Sequence, residues 1–170
     1  ARKGTDFEPL VSSELNTAAT YSGRTEMLRW AKGSGDLSDF AEKGVASLQG
    51  REAWDKRGII VNLMSSLPVS IYTGEFYDMN CGVCWPNQIE DLAPLWCFLS
   101  SPAYHAAVRK IDRQLKLTTG TLLKVPFDLA HWQRVAAEKY PNGLPKPYSN
   151  DPTQWLFDGH PRGSADPNVT

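Results

Sequence analysis

The sequence predicts an α+β fold, with a small mixed sheet, flanking helices and an extended tail rich in proline and glycine. Three observations indicate this class. Short β-branched runs lie in the centre of the chain, segments with a helical apolar stripe follow them, and Pro, Gly, Asn and Asp are dense after residue 140. Strands and helices that are grouped along the chain, instead of alternating regularly, are typical of α+β domains.

Length and composition predict one domain with peripheral segments. The chain has 170 residues, of which 41% are apolar and 22% charged, as in an ordinary globular protein. We expect residues 1–50 to form a loop-rich connecting segment with weak helical patterns around Thr25–Lys32 and Leu37–Leu48. Residues 51–139 are predicted to form the α+β domain, and residues 140–170 an extended tail packed on it.

Three strands are predicted in the first half of the domain. Gly58–Met64 is a β-branched run after a glycine, which is typical of a buried strand. Val69–Tyr72 alternates apolar and polar residues, as a half-buried strand does. Met79–Trp85 is predicted to be a further strand, which ends before Pro86.

Two helices are predicted to follow. In Glu90–Ser100 the apolar residues repeat at helical spacing and form one stripe. Ser101 followed by Pro102 is a strong start signal for the next helix, which we expect to continue to Lys116. Its predicted core face consists of Tyr104, Val108, Ile111 and Leu115.

A last strand and helix are predicted before the tail. Thr121–Val125 is predicted to be a strand that ends at Pro126. Asp128 is predicted to cap a helix that runs to about Lys139. The tail is expected to pack through its large apolar residues, Tyr148, Trp155, Leu156 and Phe157.

Charge and cysteine content limit the location and the partners. The net charge is −1 and is evenly balanced along the chain, so a positive surface must arise by clustering in three dimensions. Three cysteines are too few for a disulfide framework, which favours a cytoplasmic location. No stretch approaches the roughly 20 apolar residues that cross a bilayer, so we expect no membrane partner.

Basic side chains with nearby hydroxyls are the main candidates for binding. On the second predicted helix, Arg109, Arg113 and Lys116 are spaced to share one polar face. A hydroxyl-rich segment and one more lysine follow, namely Thr118, Thr119, Thr121 and Lys124. A second basic group, consisting of Arg51, Lys56 and Arg57, precedes the first strand. Such groups contact DNA phosphates, although a basic stripe is more often a solvated helix face.

Cys81 and Cys84 form a CxxC pair, a spacing found in redox dithiols and in half of a zinc site. A redox pair needs its nucleophile near a helix N-terminus, whereas this pair lies in a strand-like run. A structural zinc site needs four ligands, and the sequence contains no second CxxC and only three histidines. We therefore expect two small apolar side chains and no metal site.

A series of short motifs carries a resemblance to a known family. The motifs are Gly50–Gly58, Leu67–Val69, Tyr72–Glu75, Leu95–Phe98, Ser100–Pro102, Val108–Asp112, Thr121–Leu129 with Trp132, and Tyr148–Phe157. In order and spacing they resemble the region after the catalytic domain in large N6-adenine-specific DNA methyltransferases. Those enzymes occur in type IIG restriction–modification systems and in DISARM-like phage-defence islands. The arrangement is also similar to target-recognition domains of multi-subunit restriction systems.

The resemblance implies a target-recognition domain that binds double-stranded DNA and presents an adenine to a methyltransferase core elsewhere in the parent chain. Other restriction or defence subunits are further expected partners. The family uses S-adenosylmethionine, but the sequence has neither the Asn-Pro-Pro-Tyr loop nor the glycine-rich turn that this chemistry needs. We therefore expect no catalytic or cofactor-binding residue here. The basic and hydroxyl residues named above are the candidate DNA contacts on chemical grounds.

Two other functions stay open at this stage. One is a protein–protein docking domain of the same defence complex, anchored by its tryptophans, Trp85, Trp96, Trp132 and Trp155. The other is a thiol–disulfide catalyst that uses Cys81 and Cys84.

Overall fold

Two three-stranded sheets and a set of flanking helices organise the part of the chain that the structure describes. The structure is a computed structural model, and it describes residues 6–12, 20–24, 26–46, 48, 50–64 and 66–145. The fold is α+β, as the sequence predicts. The apolar anchors predicted for the tail lie outside the described residues.

The elements are numbered in chain order. The strands are β1 (Phe7–Val11), β2 (Glu26–Arg29), β3 (Gly58–Asn62), β4 (Val69–Tyr72), β5 (Phe76–Tyr77) and β6 (Cys81–Cys84). The helices are α1 (Asp36–Glu42), α2 (Leu92–Leu99), α3 (Pro102–Ile111), α4 (Thr119–Leu122) and α5 (Leu129–Lys139), with short 3-10 turns at Ala31–Gly33, Arg51–Ala53 and Ile89–Asp91. Among the described residues, every helix falls short of the length and apolar character needed to cross a membrane.

The central sheet has the antiparallel order β4-β3-β6, and its middle strand is buried on both faces. Neighbouring side chains of a strand point to opposite faces. Ile59 and Val61 therefore enter the main core under α2, while Ile60 enters a smaller core with Tyr72 and Cys81. Burial on both faces explains why Ile59, Ile60 and Val61 are apolar in succession instead of alternating with polar residues.

The second sheet has the order β2-β1-β5 and is mixed, because β1 pairs antiparallel with β2 and parallel with β5. It joins residues from both sides of the boundary predicted at residue 50. The helix predicted around Thr25–Lys32 is wrong, because Glu26–Arg29 pairs with β1 along its length. This long-range pairing overrides a weak local pattern. The second weak pattern, Leu37–Leu48, is confirmed in part by α1.

Helices α2 and α5 close the main core. The sequence predicts both, and α2 is buried along most of its length against β3 and α5. The Trp96 indole donates a hydrogen bond of 2.9 Å to the Tyr140 hydroxyl just after α5. The predicted cap is also confirmed, since the backbone N–H of His131 donates to the Asp128 carboxylate at 3.0 Å.

Helix α3 begins where the sequence predicts and ends earlier. The Ser101 hydroxyl accepts the Tyr104 N–H, and Pro102 occupies the first turn. The chain leaves the helix at Asp112, whose carboxylate accepts the Gln114 N–H at 2.9 Å, a local bond that competes with helical pairing. Further on, the N–H of the buried Leu117 donates to the Leu63 carbonyl. The predicted continuation to Lys116 is therefore wrong, and Ile111 and Leu115 are exposed instead of facing the core.

The strand predicted at Thr121–Val125 is also wrong, because the chain forms the short helix α4 there. Thr118 is extended and precedes the helix, and its carbonyl accepts the Thr121 N–H at 3.0 Å. The next turn closes with the Lys124 N–H on the Thr121 carbonyl at 3.2 Å. Hydroxyl residues that favour turns outweigh the β-propensity of the leucines.

A nearly buried ion pair ties the segment before β2 to the turn after β4. Arg24 Nε lies 2.5 Å from Glu75 Oε1, and Arg24 also donates to the Ile71 carbonyl at 2.7 Å. Glu75 in addition accepts the backbone N–H and the hydroxyl of Thr73. Burial acts to raise the pKa of Glu75, but the charge of Arg24 and these hydrogen bonds outweigh it and hold the pKa below its usual range.

We predict that Arg24→Ala lowers the free energy of unfolding at pH 7 by about 3–5 kcal/mol, because it leaves the Glu75 carboxylate buried without its partner. Arg29→Ala, at an exposed position of β2, is the control and changes stability by only about 0.5 kcal/mol. Denaturant unfolding measures both.

The same pair predicts a pH dependence. The folded pKa of Glu75 lies below its unfolded value of 4.5, so its contribution is present above pH 4.5 and is lost as the pH falls through the folded pKa. The stability difference between the wild type and Arg24→Ala should therefore shrink in that acid range. A difference that stays constant would contradict this assignment.

Candidate nucleic-acid interface

Strand pairing fixes the position of Trp85 on the surface. In the antiparallel pair of β3 and β6, Ile59 lies opposite Cys84, so continuing the register puts Gly58 opposite Trp85. A Cβ added to Gly58 would lie 2.5 Å from the Cys84 carbonyl oxygen, so only glycine allows this close approach. Pro86 then ends the strand because it has no N–H to donate. The Trp85 side chain is 42% exposed.

The same register brings the predicted basic residues Lys56 and Arg57 to this tryptophan. They line a surface depression of about 400 Å³ together with Trp85 and Asn87, and Asp55, Pro86 and Ile89 complete its wall. We call it the basic depression. Lys56, Arg57, Trp85 and Asn87 are all exposed. Within the described part of the chain, neither cation forms an ion pair with a carboxylate.

A second depression, of about 650 Å³, shares Trp85 and has a different character. Its wall includes Thr119 and Gly120 of the hydroxyl-rich segment, but also the acidic residues Glu52 and Asp78. We call it the acidic depression. Carboxylates repel a phosphate backbone, so a nucleic acid bound at Trp85 would place its phosphates on the side of the basic depression.

A third depression, of about 660 Å³, also includes Trp85 and is mainly apolar. We call it the apolar groove. It lies between the end of β6, helix α2 and the segment from α4 to α5, and its apolar wall includes Leu95, Phe98, Leu122, Leu123, Val125, Phe127 and Leu129. Trp85 is thus the meeting point of one basic, one acidic and one apolar surface.

The other predicted cations do not form the helical stripe that the sequence suggested. Only Arg109 lies on α3, because the helix ends at Ile111, and its guanidinium donates to the Gln114 carbonyl. Arg113, Lys116 and Lys124 are exposed in the segments that follow. None of these four cations lines any of the three depressions around Trp85.

The remaining predicted contacts are divided between interior and surface. Thr121 is buried, and its hydroxyl lies 3.1 Å from that of Thr118 and 3.5 Å from the Asp112 carboxylate, so it stabilises the turn and does not face a ligand. Thr119 lines the acidic depression. Arg51 lies apart from Lys56 and Arg57, with its guanidinium carbon 5.7 Å from the centroid of the Trp54 ring.

The structure argues against thiol–disulfide chemistry at the CxxC pair. Cys81 belongs to the smaller core, whereas Cys84 packs against the main core on the opposite face of β6. Burial raises the pKa of both thiols, to about 11 for Cys84, and the nearby Asp78 carboxylate raises that of Cys81 further. A redox thiol needs the opposite shift.

The described histidines and possible metal ligands lie apart from Trp85 or are bonded within the fold. His105 Nε2 lies 3.0 Å from the Leu99 carbonyl oxygen, and burial lowers the pKa of its ring. Across the described ranges, no group of three or more His, Cys, Asp or Glu side chains is placed to hold a metal ion.

The tryptophans proposed as docking anchors have different roles. Trp96 is buried in the core, and Trp132 packs against Phe98 with ring centroids 5.6 Å apart. Trp155 lies outside the described residues. Of the three that are described, Trp85 alone is more than one-third exposed.

From the sequence, Trp85 is predicted only as a docking anchor, and Asn87 is not among the predicted site residues. The signal was available, because an antiparallel pairing of Gly58–Met64 with Met79–Trp85 in the observed register places Trp85 and Asn87 beside Lys56 and Arg57. Register, however, depends on which faces are buried.

Comparison with known proteins adds no further identification, since no protein-family profile and no curated protein matches the chain.

The raised thiol pKa values predict low reactivity. With the pKa of Cys84 moved from 9.0 to about 11, its thiolate fraction at pH 8 falls about 100-fold, and its reaction with a thiol reagent should slow by about one to two orders of magnitude on folding. The chain unfolded in denaturant serves as the control. A Cys81–Cys84 disulfide that forms under mild oxidation in the folded chain would contradict the assignment.

Proposed function

We propose that the chain is the DNA-reading part of an N6-adenine-specific DNA methyltransferase from a restriction–modification or phage-defence system. The observation that carries the proposal is the basic depression, where two exposed cations, an exposed indole and an amide side chain lie together. Proteins use cations to contact the DNA phosphates, aromatic rings to stack on bases, and amide side chains to form hydrogen bonds with base edges.

The two cations supply the phosphate contacts in this proposal. Lys56 and Arg57 precede β3 directly and are fixed to the central sheet through its pairing with β6. Neither is neutralised by an ion pair among the described residues. Asp55 in the same wall and the nearby acidic depression limit the positive surface, which fits a module with few phosphate contacts that acts beside a second DNA-binding domain.

Trp85 and Asn87 supply the contacts with bases. On adenine, the asparagine N–H donates to N7 while its carbonyl oxygen accepts from the N6 amino group, a pair of hydrogen bonds that favours adenine over the other bases. An exposed indole can stack on a base or fill the gap that a flipped base leaves in the duplex. Because Pro86 separates the two residues, their backbone has restricted freedom and their spacing is largely preset.

The methyl transfer itself is assigned to a separate core domain of the parent protein. The sequence has no Asn-Pro-Pro-Tyr loop, and Gly33-Ser34-Gly35 between β2 and α1 follows an antiparallel strand instead of opening a parallel βαβ unit, so none of its residues is assigned to S-adenosylmethionine or to the target amino group. In this proposal the reader holds the duplex while the core flips and methylates the adenine. Other subunits of the restriction or defence system are the further partners proposed.

We predict that the double variant Lys56→Gln/Arg57→Gln binds duplex DNA more weakly than the wild type and that its binding depends less on salt concentration. Each phosphate contact contributes about 0.9 to the slope of log K against log salt concentration, so removing both should lower the slope by about 2. Arg113→Gln/Lys116→Gln makes the same charge change away from the basic depression and should leave the slope unchanged. Equal losses in the two variants would contradict a site at Trp85.

The indole predicts a different effect. Trp85→Ala should weaken duplex binding by about 10-fold to 100-fold, because stacking or wedging contributes on the order of 1–3 kcal/mol, while the salt slope stays the same. Trp85→Phe is the matched control and should keep most of the affinity. Fluorescence anisotropy with a labelled duplex measures both, and full affinity in the alanine variant would exclude a base contact by Trp85.

A further inference from the structure

The apolar groove shares Trp85, Pro86 and Asn87 with the basic depression, but the rest of its wall takes no part in the proposed DNA contacts and is mainly apolar. Around it, Leu123 is 77% exposed, and Phe127 and Leu129 are each more than one-third exposed. Large apolar side chains gathered at a groove of this size usually mark a place where another segment packs.

The groove lies at the start of α5. Leu129, the first residue of that helix, lines the groove together with Leu95 and Phe98 of α2. Helix α5 has 11 residues and therefore a length of about 16 Å. The described chain ends at Pro145 beyond the far end of α5, where the Pro145 carbonyl accepts a hydrogen bond of 3.0 Å from Tyr21.

The chain beyond Pro145 is long enough and apolar enough to return to the groove. Trp155 follows Pro145 by ten residues, which span up to about 33–36 Å when extended, roughly twice the length of α5. Trp155, Leu156 and Phe157 are three large apolar residues in succession. The groove wall includes only one charged residue, Asp91, so an occupant binds there chiefly through apolar side chains.

We propose that Trp155-Leu156-Phe157 of the same chain docks in the apolar groove. The docked segment contacts α2 and the segment before α5, and it leaves Lys56 and Arg57 uncovered because neither cation lines the groove. The docked segment makes the groove an internal contact of the chain instead of a surface for another protein.

Limited proteolysis of the full chain tests this docking. Chymotrypsin cleaves after large apolar residues, so docking should protect the bonds after Trp155 and Phe157. Leu123→Asp puts a charge into the groove wall, whereas Leu115→Asp is the matched control at a position that is also highly exposed, 67% against 77%, and lies outside the groove. Because both leucines are mostly exposed, neither change removes core packing.

The rate of cleavage at residues 155–158, followed by mass spectrometry, should rise at least 10-fold in Leu123→Asp and stay at the wild-type rate in Leu115→Asp. Protection in the wild type should not depend on protein concentration. Equal rates in all three proteins would overturn the proposal. Protection that appears only at high concentration would overturn it in favour of a second copy of the chain. No DNA is present, so the result is separate from the proposed function.

Discussion

The burial of β3 on both of its faces is the constraint on which the rest of this fold depends. Its alternate side chains enter two different cores, one under α2 and one toward Tyr72. A shift of one residue in its pairing would exchange these two sets of side chains. The register of β3 with β4 and β6 is therefore strongly determined, and so is the position of every residue that follows directly from it.

That register is what connects the fold to the proposed function. Lys56 and Arg57 lie just before β3, and Trp85 and Asn87 lie just after β6. Because the two strands are antiparallel, these positions are at the same end of the pair. These four residues lie in the short segments that directly flank β3 and β6, and the pairing of the two strands brings those segments to one surface. The cations cluster in three dimensions even though the chain as a whole has a net charge of −1.

Much of the fold was predictable because its signals are local. The apolar run of β3 and the Ser101-Pro102 start of α3 depend on neighbouring residues, and both are found as expected. The errors arise where contacts between residues that are distant in the sequence determine the local structure. β2 is a strand because β1 pairs with it, and α3 ends early because Leu117 returns to the end of β3. The candidate site shows the same division. The basic character of Lys56 and Arg57 is evident from the sequence, but the position of Trp85 beside them depends on the register between β3 and β6.

The central proposal is that Trp85, which lies beside Lys56 and Arg57, contacts DNA. The most direct measurement is a duplex titration of the full chain followed by NMR of its tryptophan indole N–H groups, with Trp85 assigned by Trp85→Phe. The account predicts that the Trp85 resonance shifts at low salt and returns as salt is added, while Trp96 stays in place because its indole is bonded to Tyr140 in the core. A Trp85 resonance unchanged at saturating duplex would contradict the account.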